Sequence, residues 1–424
     1  SPSEAPRSPS EAPRSPSDAG TADADSGEGP VSGDRLAAIA AAGGIGPLVG
    51  LVSAGSQTGK TRAASALWHL ANGDASNQVS IAKAGGIAPL VQMLDDGSAR
   101  GVRYAADALH HLATDNADNQ AQIAKKLVGL LDPERYRDDA QRRAAHALWR
   151  LAKANVGAPV RVVNAGAISP LVSLLHDGSL EAKTEAAGAL SCLAYGDVAC
   201  QLAIATGLVA QVGTGSAEAQ EHVTRMLIQL AATDATNRKA IVDAGAVERL
   251  IGQLKGGGST SLKARELAAS VLWHLARGSA SNVGLIVSHG GIAPLVALLG
   301  ADSEGAQVRA SSALQAMASL SADAQAAIVT EGGIEPLVGL LSAEAGASAR
   351  SEAAGALWSL ANGSLEHTSA IVATGAIDAL VALLREGPDA KAQRQAARAL
   401  GCLAAGGGDI KSAIANAGGV EPLV

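Results

Sequence analysis

Residues 84–94 read AGGIAPLVQML, and variants of this stretch return along most of the chain. Residues 290–299 read GGIAPLVALL, and residues 332–341 read GGIEPLVGLL. Glycine readily takes the left-handed backbone that ends a helix. Proline is tolerated in the first turn of the next helix, where its missing N–H would have no partner. Each copy therefore predicts a sharp corner between two helices.

The copies recur at a nearly constant spacing. Their common anchor is the apolar residue at, or equivalent to, the position after proline: Leu48, Leu90, Leu127, Leu171, Val212, Leu250, Leu295, Leu337, Leu380 and Leu423. Successive anchors lie 37 to 45 residues apart, which is typical of helical repeats that stack into a solenoid. Around Lys125 the glycine corner is missing, which predicts fused or kinked helices, and around Val212 the second helix loses its paired leucines. We expect a local change in superhelical curvature over residues 120–215.

Each unit has the pattern of three helices. The first is short and often opens Asn-x-x-x-Ile, as from Asn77 to Ile81, where the asparagine can cap a free backbone N–H. The second follows the glycine corner. The third is exemplified by residues 62–73, RAASALWHLANG, with apolar side chains at three- and four-residue spacing. One unit cannot offset the entropy of ordering its own chain, so stacking on neighbours must supply the stability.

The corner GGIxPLVxLL followed by AxxALWxLA resembles the armadillo-repeat family, in its plant, β-catenin and vacuolar-armadillo-like form, over residues 34–424. The resemblance implies an all-α fold: a right-handed solenoid, or superhelix, of three-helix armadillo repeats. Nine complete repeats are expected, with the start of a tenth at about residues 407–424. The third helices would line a concave groove that binds an extended segment of another protein.

Composition and charge exclude several classes of function. The net charge is −7 and the pI is about 5.7, so no global basic field favours nucleic acid. Cys192, Cys200 and Cys402 form no CxxC pair, which fits a reducing compartment, the cytoplasm or the nucleus. No apolar run reaches the roughly 18–20 residues that cross a bilayer. We expect no nucleic-acid partner and no direct membrane insertion.

Residues 1–33 differ from the rest of the chain. The heptapeptide SPSEAPR occurs twice and then decays into a Ser-, Pro- and acid-rich stretch whose only large apolar residue is Val31. Such a composition predicts a disordered tail. The chain begins without Met and ends in the apolar run of a second helix at Val424, so we expect it to be a fragment of a longer protein.

Three patterns suggest chemistry, and the repeat gives a simpler interpretation of each. Residues 54–61, AGSQTGKT, fit a loose P-loop, but a P-loop follows a strand, whereas here the loop would join a second helix to a third. His69 and His111 occupy equivalent positions without a third metal ligand at suitable spacing. No Ser/His/Asp grouping stands out. The sequence therefore predicts no enzyme, with no catalytic, cofactor-binding or metal-binding residues and no cofactor.

The candidate partner-binding residues lie on the third helices. At the position where the family carries a groove asparagine, this chain has His69, His111, Arg150, Cys192, Gln229, His274, Ala316, Ser359 and Cys402. Importin-α-like proteins hold an extended basic peptide with that asparagine and with a tryptophan four residues earlier. Neither residue occurs at these positions here, which disfavours a transport adaptor.

Cationic residues recur near the start of the third helix in eight of the nine complete repeats. They are Lys60, Arg62, Arg103, Arg142, Arg143, Lys183, Arg265, Arg309, Arg350 and Arg394. One interpretation is a solvated helix end; the other is a basic groove edge at one helical level that attracts an acidic or phosphorylated segment. The tryptophans, Trp68, Trp149, Trp273 and Trp358, fit inter-repeat core better than contact surface.

The leading hypothesis is a non-enzymatic scaffold that binds an extended, possibly acidic, segment of another protein in its groove. The alternative is the substrate-recognition region of a larger enzyme such as a U-box-type ubiquitin ligase. An importin-α-like adaptor is less favoured. The oligomeric state stays open.

Overall fold

The computed structural model describes residues 33–194, 198–256, 260–342, 344–362, 364–387 and 389–423. These residues form α-helices joined by short turns, and they contain no strand. The all-α solenoid of three-helix repeats is confirmed. The predicted disordered tail lies outside the described residues, except for Gly33, which begins the first helix.

The helices alternate along the chain as first, second and third members of each repeat. The first helices are α1 (Gly33–Ala41), α4 (Ala75–Lys83), α9 (Ala158–Asn164), α14 (Ala235–Asp243), α17 (Ala280–Ser288), α20 (Ala322–Thr330), α23 (Leu365–Ala373) and α26 (Gly408–Asn416). The second helices are α2 (Ile45–Ala54), α5 (Ile87–Asp96), α10 (Ile168–Asp177), α15 (Ala246–Lys255), α18 (Ile292–Leu299), α21 (Ile334–Gly339), α24 (Ala376–Glu386) and α27 (Val420–Leu423). The third helices are α3 (Gln57–Ala71), α6 (Ala99–Ala113), α8 (Asp138–Ala154), α11 (Leu180–Ala194), α13 (Ala217–Thr233), α16 (Leu262–Ala276), α19 (Glu304–Ala318), α22 (Ala347–Ala361) and α25 (Ala390–Ala404). Two helices, α7 (Ala117–Gly129) and α12 (Val198–Gln211), replace a first and a second helix together.

The predicted glycine corner is present between the first and second helices. Between α17 and α18 the chain bends by 86°, and three comparable corners bend by 80° to 87°. Gly290 takes the left-handed conformation there, with φ +71°. At Gly291 a Cβ atom would lie 2.7 Å from Cγ2 of Ile286, so this particular corner leaves no room for a side chain there. Within the described ranges no single helix is long and apolar enough to span a membrane, and only these four bent pairs pass that test together.

The two fused helices arise where the glycine corner is lost. Helix α7 runs without a break through Lys125, as the missing corner predicts. Helix α12 is fused in the same way, which the sequence interpretation missed. The anchor at Val212 is therefore wrong: Leu208, fully buried, occupies the equivalent position. Leu208 follows Leu171 by 37 residues, as Leu127 follows Leu90, so both fused repeats are shortened alike.

Each fused helix separates two third helices that would otherwise pack together. Elsewhere consecutive third helices contact each other along their length, as α16, α19, α22 and α25 do. At the fused repeats α8 packs on α5 as much as on α6, and α13 packs on α10 more than on α11. Both junctions fall in the segment for which the sequence predicts altered superhelical curvature, and the curvature itself stays a prediction.

The recurring asparagine of the first helix has a different role from the one predicted. The residue three positions earlier caps the helix; for example, Ser279 accepts from the backbone N–H of Asn282. The side chain of Asn282 instead donates to the carbonyl of Leu275, at 2.8 Å, and Gln78 donates to that of Ala71. These groups satisfy the free carbonyls at the end of the preceding third helix. First helices thereby tie each repeat to the one before it.

Two glycine-to-alanine changes in one segment should have opposite effects on stability. Gly290→Ala places a side chain on the left-handed corner and should destabilise the protein by about 1–2 kcal/mol. Gly284→Ala lies in α17 with no atom within 4 Å of the new Cβ, and should stabilise by about 0.5–1 kcal/mol through helix propensity. Urea denaturation of both variants measures the difference, and equal effects would contradict the corner.

Candidate functional site

The third helices share one register, which defines a common exposed face. Each begins ten residues before a buried leucine: Leu67, Leu109, Leu148, Leu190, Leu227, Leu272, Leu314, Leu357 and Leu400. The positions five and two residues before this leucine, and one and two residues after it, fall on one side of the helix. We call the side of the helix that these positions span, which at about 100° per residue also includes the positions six before and five after the leucine, the groove face. The candidate asparagine-equivalent residues lie two residues after the leucine.

These candidate residues differ in accessibility. His69, His111, Arg150 and His274 are half-buried and Gln229 is exposed, so all five keep accessible surface on the groove face. Ser359 is different, because it is 2% exposed and its Oγ donates to the carbonyl of Gly355 at 3.1 Å. Cys192 accepts a hydrogen bond from Nε1 of Trp149 at 3.1 Å, and burial raises the pKa of its thiol.

Several charges on the groove face are paired between adjacent repeats. Nη1 of Arg150 donates to Oδ1 of Asp107 at 3.1 Å. Nδ1 of His146 lies 2.9 Å from Oε2 of Glu185. Lys391, at the start of α25, forms an ion pair with Glu352 of α22. These contacts hold neighbouring third helices together, and the charges of Arg150 and Lys391 are already balanced before any partner binds.

The tryptophans act as bridges between repeats and remain partly exposed. Trp68 stacks on Tyr104 of the next repeat, with ring centroids 5.8 Å apart. The guanidinium of Arg398 lies 3.5 Å above the ring centroid of Trp358. Trp273 and Trp358 wall an open cleft of about 360 Å³ across the small side chain of Ala316. Packing between repeats is therefore shown for these rings, and a role as contact surface stays a prediction.

The basic edge does not lie at one helical level. The cations occupy three different positions, counted back from the buried leucine of their helix. Arg62, Arg143 and Arg309 lie five residues before it, and Arg103, Arg142 and Arg394 lie six before it. Lys60, Lys183, Arg265 and Arg350 lie seven residues before it. Successive residues of a helix rotate by about 100°, so these side chains point in different directions. The prediction of a single row is corrected to a band of three positions.

Only part of this band faces solvent. The Lys183 side chain is 8% exposed and lies 4.0 Å from Glu218. The Nε atoms of Arg265 and Arg350 are buried without an acceptor. The exposed members are Arg62, Arg103, Arg309 and Arg394, and none of them forms an ion pair within the part of the chain that the structure describes. These four are the cations that remain available to a ligand.

Three arginines place positive charge around His274. Burial lowers the pKa of His274 to about 4, assisted by the positive charges of Arg277, Arg309 and Arg238. Burial also lowers the pKa of His110 and His111. The sequence analysis missed Arg277, which stacks on Trp273 at 5.2 Å. The sequence pattern that could have identified Arg277 is a cation four residues after a tryptophan, and the same pattern occurs at Trp149 and Lys153.

The two remaining chemical patterns are explained by the repeat. The P-loop-like residues join α2 to α3, as predicted: Ser56 caps α3 by accepting from the backbone N–H of Gly59. Lys60 pairs with Asp96 at 3.4 Å. Among the described residues no three His, Cys, Asp or Glu side chains converge as a metal site would require.

Comparison with known proteins agrees with this architecture. The family model described as Armadillo/beta-catenin-like repeat matches four stretches, each containing one complete helix triplet: 74–114, 155–194, 234–277 and 364–405. The crystal structure of an engineered protein from the Northeast Structural Genomics Consortium is 34% identical, with a TM-score of 0.61, and the match covers 89% of this chain and 93% of that chain. A second engineered protein from that consortium is 32% identical over 67% of this chain and 97% of that chain, with a TM-score of 0.43. No curated protein shows a detectable match.

The fold and the repeated exposed face define an α-solenoid interaction module. The chain belongs to the armadillo-repeat family. Armadillo repeats generally mediate protein binding, and the fold is typically that of a non-enzymatic scaffold.

The low pKa of His274 should make stability depend on pH. The folded pKa of about 4 lies below the unfolded value of about 6.5, so between these values the unfolded chain binds the proton that the folded chain rejects. Stability should therefore fall as pH drops from about 6.5 to 4. His274→Gln should remove this contribution, and the difference in unfolding free energy between the two proteins, measured from pH 7.5 to 4, reports it.

A control separates the charge effect from burial. Arg309→Gln should raise the pKa of His274, measured by NMR titration of the imidazole, because it removes one of the charges that lower it. Arg62→Gln, at the same helical position in the first repeat, should leave that pKa unchanged. Equal pKa values in both variants would contradict the positive cluster.

Proposed function

We propose that this protein is an interaction scaffold whose groove face binds an extended acidic segment of another protein. The main support is the cluster of Arg277, Arg309 and Arg238 around the neutral His274, in a folded region that is nearly neutral overall. Some groove-face cations nearer the N-terminus are neutralised by ion pairs within the protein, such as that of Arg150 with Asp107. The C-terminal repeats, from α16 to α25, therefore offer the stronger attraction for carboxylates.

The spacing of the repeat suits an extended ligand. Packed helices lie about 8–10 Å apart, and an extended chain advances about 3.3–3.6 Å per residue. Each repeat therefore spans about three residues of a bound segment, and equivalent positions on successive third helices can contact every third residue. Exposed ion pairs contribute only about 0.2–1 kcal/mol each, so affinity must come from several of them.

The alternative of a substrate-recognition region in a larger enzyme uses the same surface. The two hypotheses differ in whether a catalytic module is joined to the repeats, so a test of the groove face serves both.

Exposed arginines without an ion pair provide the most informative variants. Arg265 and Arg350 are less suitable, because their half-buried side chains contribute to packing.

Reversing two exposed arginines should weaken binding of acidic peptides. We expect random 12-residue peptides displayed against the full chain to be enriched in Asp and Glu. Arg309→Glu combined with Arg394→Glu should weaken binding of the selected peptides by about 1–2 kcal/mol, roughly 5- to 30-fold, through lost attraction and new repulsion. The loss should shrink in 1 M salt, where the Debye length is about 3 Å.

The matched control makes the same change in net charge elsewhere. Arg135→Glu combined with Arg137→Glu alters exposed side chains between α7 and α8, outside the groove face. This control should change affinity by less than about two-fold, within the range of surface substitutions. Equal losses in both double variants, or peptides without acidic enrichment, would count against an acidic ligand on the groove face.

A further inference from the structure

The two junctions at the fused helices have the same geometry but very different residual space. In each, a fused helix forms the floor between two separated third helices. Between α6 and α8 the remaining cavity holds about 10 Å³. Between α11 and α13 it holds about 790 Å³. We call the second space the α11–α13 cavity.

Side-chain size at equivalent positions explains the difference. The residue after the buried leucine is His110 on α6 and lines the small cavity, whereas Ser191 on α11 lines the large one. Two residues before that leucine, α6 carries Asp107, which pairs with Arg150 across the junction. At the same place α11 carries Gly188, which makes no such pair. His110 and the ion-paired Arg150 thus fill a gap that Ser191 and Gln229 leave open at the other junction.

The lining of the α11–α13 cavity combines apolar surface with unused hydrogen-bond acceptors. Ile204 and Leu208 come from the fused helix α12, and Met226 from α13. Oε1 of Gln201 and Oδ1 of Asn237 are both buried without a hydrogen-bond donor. A buried acceptor without a donor costs about 1–3 kcal/mol. The cavity therefore matches an apolar group that carries an N–H or O–H donor.

The chain carries only half-buried aromatic side chains among its described residues, and Tyr195, directly after the lining residue Ala194, lies outside them. Its exposed large hydrophobic residues in the described ranges are all aliphatic, such as Leu202 and Leu365. Residues 1–32 contain no aromatic residue, and the whole sequence contains no Phe. The cavity opens beside Gln229 on the groove face, where a bound segment would pass. A partner segment is thus the occupant that the geometry favours.

We propose that the α11–α13 cavity binds an aromatic side chain with a hydrogen-bond donor, an indole or a phenol, from a segment bound on the groove face. The ring occupies the space that His110 fills at the other junction, and its donor satisfies Gln201 or Asn237. The pocket itself stands on cavity geometry, and only the source of the ring, a partner segment, rests on the proposed function.

The methionines provide a direct test. The chain has three, Met93, Met226 and Met317, and only Met226 lines the cavity. With methyl-labelled methionine in the full chain, titration with N-acetyltryptophanamide should shift the Met226 resonance saturably, with a Kd of about 1 mM. The other two resonances should not move. 1-Methylindole should bind at least 3-fold more weakly than indole, because it lacks the donor.

Two variants locate the site. Ser191→His copies the filled junction and should weaken N-acetyltryptophanamide binding at least 10-fold. Gly401→His introduces the same side chain at the same position of α25, where no atom lies within 4 Å of a new Cβ, and should leave binding unchanged. Circular dichroism checks the fold of both variants, and the indole comparison on the unaltered chain tests the proposal even if Ser191→His does not fold.

Three results would overturn the proposal: no saturable Met226 shift up to 10 mM probe, equal binding by Ser191→His, or equal affinities for indole and 1-methylindole. These outcomes are separate from a failure of the acidic-segment proposal. N-acetyltryptophanamide is uncharged, and the peptide experiment depends on Arg309 and Arg394 instead.

Discussion

The near-right-angle corner between first and second helices is the constraint on which the rest of the molecule depends. It lets a short first helix reach back to the carbonyl end of the preceding third helix, as Gln78 of α4 does at Ala71. It also places the next third helix beside its predecessor. Where the corner is replaced by a continuous helix, the third helices separate. The groove face and the α11–α13 cavity therefore both depend on whether the backbone forms this corner or continues as one helix.

The corner and the period could be predicted because they depend on local chemistry. Left-handed glycine and first-turn proline mark each corner in the sequence itself. The position of a residue within its repeat was harder to predict where the glycine and proline of the corner are absent. The prediction placed the anchor at Val212 because an apolar residue stood near the expected distance. Leu208, four residues earlier, lies inside the fused helix α12, whereas Val212 follows its last residue, Gln211, so fusion shortens the unit instead.

The functional residues were less predictable than the fold. Cations at three adjacent positions look alike along the sequence, yet the helix turns by about 200° from the first of these positions to the third. Lys183 is therefore buried and Arg309 exposed, although both lie in the first two turns of a third helix. Pairing between repeats is also invisible without the stacked structure, since Arg150 meets Asp107 from 43 residues away. Sequence identified the helices that carry the site, and packing decided which of their charges stay free.

The two proposed subsites lie at different places along the same groove face, and their separation restricts the ligand. The α11–α13 cavity lies between the fourth and fifth repeats, whereas Arg309 lies in the seventh. Two to three repeats at about 10 Å each correspond to about six to nine residues of extended chain. A segment that used both would carry an aromatic anchor at that distance from its acidic residues. The ring contributes buried apolar area, which salt does not screen, and the carboxylates contribute attraction that salt weakens. Affinity from the cavity should thus persist at ionic strengths that abolish the acidic contribution.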